Sequence, residues 1–403
     1  MDSLFSVIIL CYRHFEYLYE AIDSVLKQDY PKIELIISDD GSSDFPKEEI
    51  ARYVEENKRE NIKQIFIRQE EKNCGTVKHL NHAIESCTGE FVVALAGDDV
   101  LACDCVLSKY YEGFLKAENN CYIEMAQTAM YDEALKTLNS YYLKSTVQEA
   151  IEKTNKSCEM LLTQLLIYGP CLPSTSTCFK RKFFEKFGKF DEQYQLIEDF
   201  PMHIRLAEEG WIIHYENFVA IKHRHGGISH GQNGALPRSS IAYYQDLKKM
   251  IEELILNKLD LLPEKYKEQK RMVFYQRKKE LRWIDFHLAQ LNQNYTKMLL
   301  IAIENPFQFL RKAMEWLYPI ANKLRKLLLL ICVALWLLIP DVSEILVELL
   351  PGTWQVQTTL IQTVFYYIAG GFFVIWLFMF FVWIACKIIW KLERFPIEAI
   401  VVG

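Results

Sequence analysis

The sequence of 403 residues has no excess of basic charge. Its 46 lysines and arginines stand against 52 aspartates and glutamates, a formal net charge of −6. A nucleic-acid-binding chain needs a clustered positive footprint, so no nucleic-acid partner is expected. No Cys-x-x-Cys pair occurs among the 11 scattered cysteines. That argues against a zinc site or a disulfide framework and for reduced, mostly buried thiols. No Gly-x-Gly-x-x-Gly follows the first apolar run, which makes a Rossmann-type oxidoreductase a weak rival reading. The N-terminus has no basic flank followed by an apolar core, so no secretory signal peptide is expected. Lysine and arginine are also missing between two apolar runs near the C-terminus, where Asp341, Glu344 and Glu348 stand instead.

The chain does contain apolar runs that stop abruptly at paired acids. Phe91 to Ala96 has no polar alternation, as expected of a strand buried on both faces. Gly97 ends it, and Asp98 and Asp99 follow at the carboxyl end, where open α/β sheets place ligands. Carboxylates suit a hard cation such as Mg2+ or Mn2+, which can bridge to a diphosphate and offset charge on a leaving group. Phe5 to Tyr12, Ile33 to Ser38 and Gln64 to Arg68 read as further strands. Phe15 to Gln28, Ile50 to Asn57 and Val77 to Cys87 read as the helices between them. The second strand also runs into acids, Asp39 and Asp40, and a Gly41-Ser42 turn. Strand-helix alternation of this kind predicts a mostly parallel sheet. An aspartate at such a strand end can accept a hydrogen bond from a base imide, and the ring of Tyr12 can stack on the base. Beyond it, Leu101 to Ala117 reads as a helix, Tyr122 to Tyr131 as a strand, Ser157 to Tyr168 as a helix and Ser174 to Phe179 as a short strand. Lys136 to Tyr142 has no clear pattern.

Ser6 to Asp44, with its Asp-Asp-Gly-Ser turn, resembles the opening of family 2 glycosyltransferases of the GT-A fold. Gly75 to Asp99 continues the likeness, which extends to about residue 230. The resemblance implies an α/β GT-A nucleotide-sugar-binding fold, a Rossmann-like mixed sheet flanked by helices. It also implies a nucleotide-sugar donor, taken as UDP-linked, a divalent metal and inversion at the sugar carbon. By the same resemblance Tyr12 and Asp40 hold the base, Asp99 binds the metal and Asp98 lies near the ribose or sugar. Two positions depart from the family pattern: Gly97 stands where Asp-x-Asp begins, and Arg13 where Asn often follows the Tyr. Glu198-Asp199 matches the family's Glu-Asp motif, so Asp199 is expected as the general base, with Glu198 orienting loops or the acceptor. Inverting transfer needs such a carboxylate within reach of the acceptor hydroxyl. The bland alternative is an acid that complements a helix dipole.

His223 to His230 holds three histidines, an arginine and a glycine pair. Arg224 and His225 are candidates for contact with the donor diphosphate, and Lys78 is a weaker one. Three segments are expected: a catalytic domain over 1–235, a charged, solvated helical linker over 236–320, and a C-terminal helical membrane module over 321–395. The module's apolar helices would cover about 324–340 and 361–390, the second exceeding the roughly 20 residues that cross a bilayer core. Lys323, Arg325 and Lys326 before the first run and Lys387, Lys391 and Arg394 after the second favour a hairpin with both ends in the cytosol. The expectation is therefore an integral protein of the cytoplasmic membrane, its catalytic domain facing the cytosol. It would glycosylate a glycan or lipid-linked acceptor in surface polysaccharide biosynthesis. The rival is a non-catalytic, membrane-anchored nucleotide-sugar-binding assembly protein.

Overall fold

In the computed structural model, alternate residues of the first strand face opposite layers. Phe5, Val7 and Ile9 of β1 (Phe5–Cys11) join one buried cluster with Leu18, Ile22 and Val25 of helix α1 (Leu18–Leu26). Ile8 joins the other, with Val77, Leu80 and Ile84 of α3 (Thr76–Glu85). Both faces of the strand are therefore dry, which is why its sequence shows no alternation. The same holds for β2 (Ile33–Asp39), in which every residue is buried. The structure describes residues 3–117, 121–143, 158–211, 213–225 and 241–304, with a few helical positions between 323 and 380.

Between β2 and α3 lie α2 (Lys47–Asn57) and β3 (Ile62–Gln69); then come β4 (Phe91–Ala96), β5 (Val100–Leu101) and α4 (Val106–Lys116). Next are β6 (Ile123–Tyr131), β7 (Leu138–Tyr141), α5 (Cys158–Tyr168), β8 (Thr177–Lys180), α6 (Arg181–Phe187), α7 (Asp199–Glu208) and β9 (Ile213–Arg224). The sheet order is β3-β2-β1-β4-β8-β6-β9-β5, with β7 against β6. Neighbours β3, β2, β1 and β4 run parallel. Strand β8 is antiparallel to both β4 and β6, and β9 is parallel to β6. The mixed α/β sheet flanked by helices is thus present. Its parallel half carries the strand ends at Cys11, Asp39 and Ala96 on one edge.

Three elements differ from the sequence reading. Val100 and Leu101 form a short strand paired with Lys222 and Ile221, so the helix expected from Leu101 begins at Val106. Strand β9 was not anticipated. Its less buried polar positions, His214, Glu216, Asn217 and Lys222, hide the buried ones. The third difference concerns the segment read as a solvated linker. One compact unit runs from Met1 to Asn294, past the boundary expected at 235. It includes α8 (Ile241–Lys249), a π-helical turn over Met250–Ile255, a 3-10 segment over Leu256–Leu261 and α9 (Lys267–Leu291). Tyr244, Met250, Ile251, Ile255, Val273, Leu281 and Ile284 are buried in the same cluster as Tyr194 and Phe200. These apolar side chains are spaced widely among charges, so composition disguised a packed face.

The second unit spans Tyr295–Gly403, and its described part begins with α10 (Tyr295–Glu304). The expectation of an integral membrane protein is corrected by the helices themselves: among the described residues none is long and apolar enough to cross a membrane. The runs at 324–340 and 361–390 that prompted it fall almost wholly outside the described residues.

Candidate active site

Asp98 and Asp99 occupy the turn after β4, as the apolar-run-to-acid pattern predicts. The turn closes with the Asp99 N–H on the Ala96 carbonyl at 3.1 Å, and the Gly97 N–H reaches the Leu10 carbonyl of β1 at 2.7 Å. Asp99 is fully buried. Its Oδ1 accepts the Arg224 backbone N–H at 2.9 Å, and its Oδ2 lies 2.9 Å from His223 Nδ1. Strand β9 therefore returns to the acid pair from 125 residues away in sequence. Burial opposes charge on His223, but the Asp99 hydrogen bond and the charges of Asp99 and Asp98 outweigh it and raise its pKa. Asp98 is half-buried; burial first, then the Asp99 charge, push its carboxyl above the usual range.

Arg224, expected at the donor phosphates, is buried and turned to protein partners. Its Nε donates to the Asp98 carbonyl at 2.9 Å, its Nη2 to Glu20 at 2.9 Å and its Nη1 to the Glu133 carbonyl. The guanidinium carbon stands 3.7 Å from the centre of the Tyr17 ring, a cation–π contact. His225 is exposed in the turn just after β9, its N–H on the Tyr131 carbonyl at 3.1 Å.

Tyr12 and Asp40 follow the adjacent strands β1 and β2, joined by the Asp40 N–H on the Cys11 carbonyl at 3.0 Å. Tyr12 is half-buried, with the Arg13 guanidinium 4.8 Å from its ring centre. The Asp40 carboxylate is buried and grips the loop before α3. It accepts Cys74 N–H at 2.8 Å, Gly75 N–H at 3.2 Å and Asn73 Nδ2 at 2.8 Å. Asp39 holds its own turn by accepting the Ser42 N–H at 2.7 Å and hydroxyl at 2.6 Å. Lys78 is exposed on the first turn of α3. Burial, aided by Asp40, pushes the Cys74 thiol up to about 12, against the pull of Lys78.

Glu198 and Asp199 form a second cluster at the start of α7. Asp199 Oδ1 accepts the Phe200 N–H at 2.7 Å, and its carboxylate also takes a hydrogen bond from Ser174. Burial dominates both acids. It raises Asp199 despite those donors, and with the charge of Asp199 it pushes Glu198 up to about 8. The charge of Asp199 in turn helps raise Tyr142 and Cys171, after burial. Burial favours the protonated form of Glu198, while the hydrogen bonds from Ser174 and the Phe200 N–H favour charge on Asp199.

For a cation, the Asp98-Asp99 turn has a suitable donor set: hard oxygens whose mutual repulsion already raises Asp98. Each Asp99 oxygen accepts one donor and keeps a second lone pair. Protein ligands there are few, so diphosphate and water oxygens would complete the shell. Two other groups of three metal-type ligands, Glu70/Cys74/His82 and Glu124/His214/Glu216, bring their atoms within 4.8 Å among the described residues. Neither includes Asp99.

With this geometry in hand, comparison with known proteins supports a sugar-transferase reading of the N-terminal part of the chain. Residues 6–187 match glycosyl transferase family 2. The resemblance read from the N-terminal motifs is borne out over that family 2 domain. An uncharacterized glycosyltransferase of Rickettsia typhi is 29% identical over 231 residues, 55% of this chain and 64% of the relative. A Campylobacter jejuni GalNAc(5)-diNAcBac-PP-undecaprenol beta-1,3-glucosyltransferase is 34% identical over 122 residues, 30% of this chain and 38% of the relative. This chain thus spans less than two thirds of the length of either. Among solved structures, the Pyrobaculum calidifontis mannosyltransferase PcManGT in complex with GDP-Man and Mn2+ is 15% identical, with a TM-score of 0.49, covering 77% of this chain and 83% of that one. The matched stretch ends before α7 and β9, so Glu198, Asp199, His223 and Arg224 lie beyond it.

Sequence reasoning passed over several residues that shape the site. Glu20, Tyr17 and Glu133 anchor Arg224, and nothing in their spacing marks them. His223 was visible only as one of three clustered histidines. Asp246 carried no signal within a charged helix.

Proposed function

We propose that this chain transfers a sugar from a nucleotide-diphosphate sugar to a hydroxyl of a glycan or lipid-linked acceptor, with inversion. The observation that carries the reading is the family 2 match over residues 6–187. Support comes from the acid pair at the end of β4 and the Glu198-Asp199 pair at the start of α7. In this reading Tyr12 and Asp40 border the base, and Asp98 and Asp99 hold the diphosphate through Mg2+ or Mn2+. The metal would offset charge on the departing nucleotide diphosphate. The name of one relative, a GalNAc(5)-diNAcBac-PP-undecaprenol beta-1,3-glucosyltransferase, includes PP-undecaprenol, which favours a lipid-linked acceptor for this chain.

The chain's own part in the step centres on Asp199. Its ionised carboxylate accepts the proton of the acceptor hydroxyl as that oxygen attacks the anomeric carbon. Ser174 and the Phe200 N–H fix the orientation of the carboxylate. Glu198, still protonated at neutral pH, adds no competing charge. The test is Asp199→Asn, which keeps the side chain's size and removes its basic oxygen. Nucleotide binding, followed by titration calorimetry with a panel of sugar nucleotides, stays within about twofold. Nucleotide release falls at least 100-fold, on the scale of general-base catalysis. Near-normal release by the folded variant refutes the base assignment.

A further inference from the structure

We infer that Asp246 is the positioning residue that fixes the loop carrying the Glu198-Asp199 pair; the inference rests on the base assignment above. Asp246 lies on α8, in a stretch whose sequence reads as a charged linker. Its carboxylate is buried. One oxygen, Oδ2, accepts three successive backbone N–H groups: Gln195 at 2.8 Å, Leu196 at 2.7 Å and Ile197 at 3.3 Å. Successive N–H groups converging on one point form a concavity for an anion. Here the anion is built in, and the loop ends one residue before Glu198. Such charge-assisted bonds are about twice as strong as neutral ones. Three of them on one oxygen tie three consecutive loop residues to one point on α8.

The loop is held from its other side by the helix that follows the Asp40-gripped turn. The Gln195 carbonyl accepts the Val77 N–H at 3.2 Å. Further back, Asn81 of α3 exchanges hydrogen bonds with the Phe190 N–H at 3.0 Å and carbonyl at 2.9 Å. Gly75 has φ of +88°, and a Cβ there would stand 3.3 Å from the Gln195 carbonyl. The loop from 190 to 197 therefore runs between α3 and α8, and Asp246 is its charged anchor on the α8 side. Without that anchor the three N–H groups lose their acceptor, and the following acids lose their register with the acceptor hydroxyl. A misplacement of about 1 Å at a reacting group lowers a rate about 100-fold. Donor binding, which depends on the ends of β1, β2 and β4, is untouched.

The experiment compares wild type, Asp246→Asn and Asp246→Ala as full chains with Mn2+. Nucleotide release is followed from UDP-glucose, UDP-N-acetylglucosamine and GDP-mannose, and nucleotide binding is measured beside it. The expected order of kcat is Asp, then Asn lower by about fivefold or more, then Ala lower by about 100-fold, at unchanged nucleotide Kd. The asparagine retains one acceptor oxygen without the charge and so rescues part of the alanine loss. Hydrogen exchange of the 195–197 amides rises in the same order, while that of Phe91–Ala96 stays constant. A flat kcat series overturns the inference, as does a nucleotide Kd that weakens in parallel with kcat. If the alanine variant does not fold, the asparagine variant decides alone, and an unchanged kcat overturns. Asp199→Asn run in parallel separates the two levels. If it loses release while the Asp246 series is flat, the anchor role fails and the base stands. If it keeps release, the base assignment fails and the inference falls with it.

Discussion

Replacing Glu198 with Gln separates the two members of the Glu198-Asp199 pair. Glutamine mimics the protonated acid that wild type carries at neutral pH, so transfer at pH 7 stays within a few-fold of wild type while Asp199→Asn abolishes it. The same substitution alters stability with a definite sign. Folding raises the Glu198 pKa from 4.5 to about 8. Across that window the folded chain holds a proton that the unfolded chain has released. Stability is therefore fully present below about pH 4.5 and declines as pH rises through about 8. Over the window between pH 4.5 and about 8, at 1.36 kcal/mol per pH unit, the loss is at most about 5 kcal/mol. Glu198→Gln removes that dependence. Urea unfolding at pH 5, 7 and 9 should find the variant close to wild type at pH 5 and more stable at pH 9. Parallel pH dependences for the two proteins would refute the assignment of the proton to Glu198. Loss of transfer in Glu198→Gln equal to that in Asp199→Asn would make Glu198 the base instead.

Three further perturbations act on the donor side. Gly41 has φ of +77°, and a Cβ there would stand 2.4 Å from the Lys72 carbonyl carbon and 2.7 Å from the Asn73 nitrogen. Gly41→Ala should destabilise the fold by about 2–5 kcal/mol, combining left-handed strain with overpacking against backbone, as read from urea midpoints; a loss below 1 kcal/mol contradicts the close approach. Excess chelator should abolish nucleotide release in wild type, and Asp99→Ala should be inactive whether or not Mn2+ is present. Full activity in chelator removes the metal from the site.

The parallel half of the sheet was legible because β1, β2 and β4 are buried on both faces and read as unbroken apolar runs. The strand ends at Asp40 and at Asp98-Asp99 followed from the same signal. Strand β9 was not legible, since its half-buried polar positions interrupt the apolar ones and it ends in two buried polar residues, His223 and Arg224. The helices from 241 to 291 were misread because their apolar contacts are widely spaced among lysines and glutamates. The roles of Asp246 and Arg224 depend on partners 49 to 51 and 91 to 204 residues away, which no local pattern records. Asp40 shows a subtler gap: its place at a strand end was readable, but its grip on residues 73–75 was not.

The position of β9 in the sheet has a consequence for how the chain is made. A nascent chain that has emerged only as far as residue 187 contains all the residues that match family 2, yet the slot between β6 and β5 is still empty. Strand β6 then offers an open edge of unpaired backbone groups, the kind that pairs with other chains. Asp99 meanwhile lacks both its imidazole and its backbone donor. Contacts closed over such sequence separations form late and slowly. During synthesis the chain is exposed to misassociation until residue 224 clears the ribosome. A fragment cut at the domain's matched end would stay in that state permanently.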